Sequence, residues 1–270
     1  MRNFLQTLLL NAFARVSQAS VLKSNGGRLC YQWAYDLYKR ALEVPGYWQL
    51  QKYAPSGTTV IDVGANIGFF TLRFADWVGQ GGCVIALEPD DENFQWLGYR
   101  IGKRRDTDSI HLIQAAATNF DGTVCLTRNP AHPGDHRIGE AGVEVQAITI
   151  DSLSGRFGSP SLIKIDVQGA EMQVLAGALA TIRQARPALL IEVDDQALQN
   201  YGSSARTLIQ RMVEEDYQPY ILERNCLVPL TAAMQSGDLG RAYCDILFLP
   251  LLGGSQSWLA SLNARDFFYC

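Results

Sequence analysis

Asp62, Glu88, Asp166 and Glu192 are the side chains whose setting in this sequence invites chemistry. Each closes a short apolar run: VID at 60–62, CVIALE at 83–88, IKID at 163–166 and LLIE at 189–192. A carboxylate at the end of a buried strand is costly unless it is paired or used. Asp62 also runs straight into Gly64-Ala65-Asn66-Ile67-Gly68, a glycine-spaced turn that opens an amphipathic stretch. Gly64 permits a turn that a β-carbon would crowd, and Gly68 lets the next helix pack close. Backbone N–H groups and a helix start then lie beside a strand's carboxyl end, where open α/β sheets bind ligands. Glu88 follows Gly68 by roughly 20 residues, a spacing at which an acidic side chain accepts ribose hydroxyl hydrogen bonds. Together they describe a nucleoside site.

Two nucleosides compete for such a site. A dinucleotide fingerprint needs GxGxxG to bring backbone against a pyrophosphate, and here the middle glycine is missing. Asp62 would repel a pyrophosphate but suits a cationic amino-acid end. A ribose with an α-amino group and no phosphate is S-adenosylmethionine, with S-adenosylhomocysteine as its product.

Methyl transfer from a sulfonium is an in-line displacement, so the acceptor must be held near attack distance and lose a proton. Asp166 reaches the same rim as Asp62 and is the leading candidate to face acceptor or sulfonium. Glu192 reaches that rim from the next strand. Glu171 falls in the first turn of the following helix, where a carboxylate also serves helix electrostatics, and both readings stay open. Lys164 shares the strand face of Asp166 and reads as an ion pair steadying the rim. The segment PAHPGDHRIGEAG (130–142) carries two of the chain's three histidines, His132 and His136. The loop reads either as a surface polar loop or as part of the acceptor site, with His136, titrating near neutral pH, as general base. A proline-glycine loop offers no fixed ligand geometry, so no metal is expected. His111, on a strand, reads as structural.

These residues need a scaffold. TTVIDVG (58–64), GGCVIALEP (81–89), SIHLIQAAAT (109–118), SLIKIDVQG (161–169) and PALLIEVD (187–194) read as strands. Helical patterns over 66–78, 92–103, about 170–184 and about 203–215 alternate with them, which implies crossover units and a mainly parallel sheet. Segments 122–129 and 143–150 read as added strands around the histidine loop. Segments 217–223 and 244–250 read as an antiparallel closing pair. The expected fold is α/β and Rossmann-like, a mainly parallel seven-stranded sheet with an antiparallel last strand. It carries an N-terminal helical cap over 1–55, the main domain over 56–250 and a tail over 251–270.

Composition narrows the partners. The chain has 270 residues, 47% of them hydrophobic, and a formal net charge of −4, which argues against a nucleic-acid-coating surface. No stretch is long and apolar enough to span a membrane. Leu5, Leu8, Leu9, Ala12, Phe13 and Val16 follow helical spacing, so the N-terminus reads as an amphipathic helix rather than a cleaved signal, and as a candidate surface for self-association. Six scattered cysteines without zinc-type spacing suit a reducing, cytoplasmic compartment.

The segments VIDVGANIGFFTL, VIALEPDDENFQWL, QAAATNFDGTV, AITIDSL and LIKIDVQGAEMQVLAGA occur in that order, and together they resemble the FkbM family of S-adenosylmethionine-dependent methyltransferases over about residues 46–195. The resemblance implies that Asp62, Gly64, Ala65, Asn66 and Gly68 line the methionine moiety and that Glu88 holds the ribose. It puts Pro89 and Ala116 near the adenine. The family often has Glu where this chain has Gln168. It points to an acceptor hydroxyl on a sugar or natural product. A small molecule, a glycan or a peptide could carry the acceptor. N-methylation of a side-chain amide in a peptide natural product, a dinucleotide oxidoreductase and a non-catalytic cofactor-binding scaffold are the alternatives.

Overall fold

Strands buried on both faces, with helices between them, build the sheet that positions the acids. The computed structural model describes residues 35–37, 39, 44, 46–104, 107–127, 137–139, 141–230 and 243–251. In chain order the strands are β1 (Thr59–Val63), β2 (Cys83–Leu87), β3 (Ile110–Ile113), β4 (Ala115–Ala117), β5 (Gly122–Thr127), β6 (Arg137–Gly139), β7 (Val143–Ile148), β8 (Pro160–Ile165), β9 (Ala188–Asp194), β10 (Tyr217–Leu222), β11 (Leu227–Pro229) and β12 (Tyr243–Pro250). The helices are α1 (Phe69–Val78), α2 (Asp91–Gly102), α3 (Ile150–Phe157), α4 (Glu171–Ala176), α5 (Leu179–Ala185), α6 (Asp195–Asn200) and α7 (Ala205–Glu214).

Among the described residues the main sheet has eight strands, ordered β11-β10-β12-β9-β8-β1-β2-β3. β9, β8, β1, β2 and β3 pair in parallel, and β12 runs antiparallel between β9 and β10. The expected seven strands with an antiparallel last one are all present, and short β11 extends the β10 edge. The chain order reverses between β1 and β8, so a crevice opens at the carboxyl ends of those two strands.

Side-chain alternation assigns the two faces. Ile61, Val63, Ile85, Ile163 and Ile165 pack with Leu153, Ile182 and Leu208 on one side. Val60, Val84, Leu162 and Leu190 pack with Phe70 and Phe74 of α1 and with Leu50 and Tyr53 on the other. Asp62 and Lys164, register partners on β1 and β8, share the second face.

Three sequence expectations change. The single strand expected over 109–118 breaks at exposed Gln114, so β3 stays in the main sheet while buried β4 leaves it. β4 joins β7, β5 and β6 in a separate four-stranded sheet, which is where the added strands belong. The helix expected over 170–184 splits into α4 and α5 at Gly177, which passes so close to the Thr118 carbonyl that a β-carbon would collide with it. Asp151 then accepts from the Ala180 and Thr181 N–H groups at the start of α5, at 3.1 and 2.7 Å. The expectation of a reducing setting for the cysteines meets an exception at Cys226, which is disulfide-bonded. Cys83, Cys125 and Cys244 are free.

Of the expected cap, the described part includes a 3-10 helix, Tyr47–Tyr53. It docks through Gln49 and Trp48, whose side-chain nitrogens donate to the carbonyls of Glu223 and Arg224. Tyr31, Trp33 and Tyr38 of the cap, and the tail beyond Leu251, lie outside the described residues. Among the described residues no helix is long and apolar enough to cross a membrane.

Candidate active site

The glycine turn is held from three sides. Gly64 and Ala65 donate N–H groups to the Leu87 carbonyl of β2, at 3.0 and 2.9 Å. Gly64 has φ 73°, and a β-carbon there would run into the Asp166 carbonyl. Gly68, with φ 88°, caps α1 in the left-handed region, and a β-carbon on it would meet Leu97. Asn66 is also left-handed, with φ 49°; its side-chain oxygen accepts from the Ile67 N–H at 2.7 Å. Arg100 of α2 donates to the Ile67 carbonyl at 2.7 Å and pairs with Asp36 at 3.1 Å.

Glu88 closes β2 beside this turn. Its Oε2 accepts from the Asn66 N–H at 2.8 Å and its Oε1 from the Asp90 N–H at 3.0 Å. Burial pushes its carboxyl up to about 7, against the pull of those N–H groups. Pro89 follows directly. Ala116 lies buried in β4, paired with Ala147 in the second sheet.

Asp62 is 0% exposed. The Thr71 hydroxyl donates to its Oδ2 at 2.6 Å, and Lys164 Nζ lies 3.6 Å from Oδ1, an atom with no hydrogen-bond partner among the described residues. Burial pushes this carboxyl up, and Lys164 and Thr71 offset that only in part. The buried Asp62 carboxylate, Glu88 at the next strand end and the glycine turn between them are residues that could hold a nucleoside with a cationic amino-acid end.

The acids continue along the same rim. Lys164 Nζ donates to the Gly64 carbonyl at 2.8 Å and pairs with Asp166 Oδ2 at 3.2 Å. Lys39, from the N-terminal segment, reaches the same Asp166 oxygen at 3.9 Å. Burial alone would raise Asp166, but these two cations and a hydrogen bond with Glu192 hold it well below the usual carboxylate range. Glu192 goes the other way: burial, then the charge of Asp166, push it well above. The Gln168 amide nitrogen bridges the two acids, 2.9 Å from Glu192 Oε2 and 3.3 Å from Asp166 Oδ1.

Glu171, the first residue of α4, is buried beneath the loop between β8 and α4. Its Oε1 accepts from the Val167 and Gly169 N–H groups at 3.3 and 3.1 Å, and burial pushes its carboxyl up to about 7.

The structure thus brings Asp62, Gly64, Ala65, Asn66, Gly68 and Glu88 together at one strand end, with Asp166 and Glu192 adjoining. His132 and His136 lie outside the described residues. His111 packs against the Phe157 ring on β3, on the strand where it was expected. Among the described residues no cluster of His, Cys, Asp or Glu has metal-holding geometry. Sequence reasoning missed Asp245, the register partner of Glu192, whose charge helps raise it. Its signal was the one that found Glu192, an acid inside an apolar strand; because β12 is antiparallel, its start rather than its end reaches the rim. Lys39 carried no such signal.

A model of the methyltransferase FkbM domain matches residues 62–219. Methyltransferase 1 of Beauveria bassiana is 27% identical over 149 residues, covering 46% of this chain and 59% of its own length. Hexuronic acid methyltransferase AglP of Haloferax volcanii is 28% identical over 120 residues, 43% of this chain and 48% of that protein. The chain therefore spans only about half to three fifths of these relatives' length. The crystal structure of methyltransferase FkbM from Methylobacillus flagellatus KT overlays with a TM-score of 0.46 at 19% identity, covering 90% of this chain and 58% of that one.

Proposed function

The chain belongs to the FkbM methyltransferase domain family, and from that premise we propose that it transfers the methyl group of S-adenosylmethionine to a hydroxyl oxygen of a sugar or natural product. The observation that carries this reading is the continuous rim from the glycine turn to Asp166, joined by Lys164. The turn from Asp62 to Gly68 would hold the methionine end, and Glu88 the ribose hydroxyls. Pro89 and Ala116 would border the adenine. The bound cofactor supplies an electrophilic methyl group on a sulfonium.

The chain's own part is to hold the acceptor at the rim, exclude water and take its proton. Asp166 and Glu192 are the nearest acids for that work. Glu171 acts through the loop it holds, while His136 remains a candidate base from the histidine loop. A relative named as a hexuronic acid methyltransferase supports a sugar as the acceptor class.

The test is calorimetric titration with S-adenosylhomocysteine, with NAD as the control. Binding of the first alone supports the reading and leads to a screen of sugar and natural-product hydroxyls for a methyl mass shift. Binding of NAD alone, or of neither to folded protein, would sink it.

A further inference from the structure

Asp36 meets two arginines that grip the same junction. Arg100 of α2 donates to the Ile67 carbonyl at 2.7 Å, and Arg73 of α1 donates to the Phe69 carbonyl. One guanidinium thus holds the residue before Gly68 and the other the residue after it. Both turn to Asp36: Arg100 Nη2 lies 3.1 Å from its Oδ2, and Arg73 Nη2 3.9 Å from the same oxygen. Two buried guanidiniums that share one carboxylate repel each other once it is gone. That carboxylate comes from the N-terminal segment, not from the sheet.

Lys39 belongs to the same segment and goes to the other side of the crevice. Its Nζ lies 3.9 Å from Asp166 Oδ2, the oxygen that Lys164 also holds at 3.2 Å. Tyr35, Asp36 and Leu37 are helical, and at helical pitch positions three apart share a face. Tyr35 and Lys39 are buried, with the ammonium 5.9 Å from the ring centroid, whereas Leu37 is 65% exposed. The segment therefore turns its charges inward. Asp36 is tied to the turn that follows β1, and Lys39 to the acid that follows β8. Those two strands frame the crevice where the chain order reverses.

We propose that Asp36 and Lys39 are positioning residues that make the N-terminal segment a wall of the cofactor site, which S-adenosylhomocysteine leaves when both ion pairs part. This rests on the methyl-transfer reading. Neither residue needs to touch the ligand: Asp36 acts through the two arginines on the turn, and Lys39 through Asp166. Linkage then makes a reciprocal demand. Whatever factor the closed wall adds to the ligand's affinity, the bound ligand shifts the opening of the wall by the same factor.

The experiment joins amide hydrogen exchange, read at Asp36 and Lys39 in the full chain, to surface plasmon resonance with S-adenosylhomocysteine. In the wild type the ligand should slow exchange at both amides by about tenfold. Asp36→Asn and Lys39→Met should each speed association and dissociation, dissociation by more, so that affinity falls about tenfold and the gain in protection shrinks with it. Asp36→Glu and Lys39→Arg keep the charges and should recover most of the affinity. A merely structural role would lower the melting temperature and leave both rates alone. Exchange at Asp36 and Lys39 unmoved by bound ligand, or either charge-removing variant folding with wild-type rates, overturns the wall. Where a variant fails to fold, the wild-type exchange decides by itself. Failure of folded wild-type protein to bind S-adenosylhomocysteine overturns instead the reading beneath it.

Discussion

Lys164 Nζ lies 3.6 Å from Asp62 Oδ1, and the two residues are register partners on adjacent parallel strands. The same ammonium donates to the Gly64 carbonyl and pairs with Asp166. One buried cation therefore ties a strand carboxylate, the glycine turn and the acid rim into a single unit. Burial works against that charge, but Asp166 and Asp62 outweigh it and hold the lysine above its ordinary value.

Lys164→Met should accordingly be among the most damaging single changes at the rim. It leaves buried Asp62 without its cation and half-buried Asp166 with Lys39 alone, and breaking a buried pair costs about 3–5 kcal/mol. Acid should relieve the loss, because protonating the carboxyls removes the uncompensated charge. Urea unfolding of both proteins at about pH 5 and about pH 8 checks this. An equal loss at both values would mean that Lys164 does not neutralise these acids.

Gly64 and Gly57 separate strain from collision. Both have positive φ, 73° and 81°, but a β-carbon on Gly57 meets nothing within 4 Å, while one on Gly64 strikes the Asp166 carbonyl. Gly57→Ala should cost only the left-handed backbone penalty, about 1–2 kcal/mol. Gly64→Ala should cost more and lower affinity for S-adenosylhomocysteine at least tenfold, roughly 1.4 kcal/mol, as the turn is pushed off β8. Thermal unfolding and calorimetry on the pair decide it; equal losses of stability would rule out the collision.

What could be read from the sequence follows from how locally it was encoded. The parallel sheet was legible because strands buried on both faces appear as short apolar runs between helical patterns, and the acids ending them stand out by contrast. Asp62, Glu88, Asp166 and Glu192 were all found that way. β4 was not separable from β3, since three alanines have no periodicity and only the pairing with β7 distinguishes them. Lys164 was legible as an ion pair, yet its bond to the Gly64 carbonyl is a contact across 100 positions that no local pattern carries. Asp245 was hidden by strand direction, and Lys39 by the path of the N-terminal segment.

Glu88 and Glu171 contribute to the pH dependence of stability in the same sense as the raised Asp62 and Glu192. Glu88 and Glu171 are each pushed from an ordinary 4.5 up to about 7 by burial. Folded protein then binds these protons more tightly than unfolded chain, so their contribution is full below the unfolded value and is lost as pH rises toward 7. Each accounts for up to ~3 kcal/mol across that window. Asp166, held low, works in the opposite sense and loses its contribution in strong acid. Scanning calorimetry should therefore show the melting temperature falling between about pH 5 and about pH 7.5, and Glu171→Gln should flatten part of that fall. A level wild-type profile would contradict the raised carboxyls.

Arg100 gives the remaining prediction, because it grips the turn from behind. Its side chain is 5% exposed, and its guanidinium donates to the Ile67 carbonyl at 2.7 Å and pairs with Asp36 at 3.1 Å. The fork thus links the N-terminal segment to the residue between Asn66 and Gly68. Arg100→Met keeps the packing of the stem but releases both partners, so the turn should open more often. Affinity for S-adenosylhomocysteine should fall by about tenfold, and amide exchange over 64–68 should quicken, with most of the sheet still protected. Arg100→Lys should not restore it, because a single ammonium cannot reach carbonyl and carboxylate in the geometry of a planar fork. Wild-type affinity in Arg100→Met would show that the turn holds its shape from Leu87 and Glu88 alone.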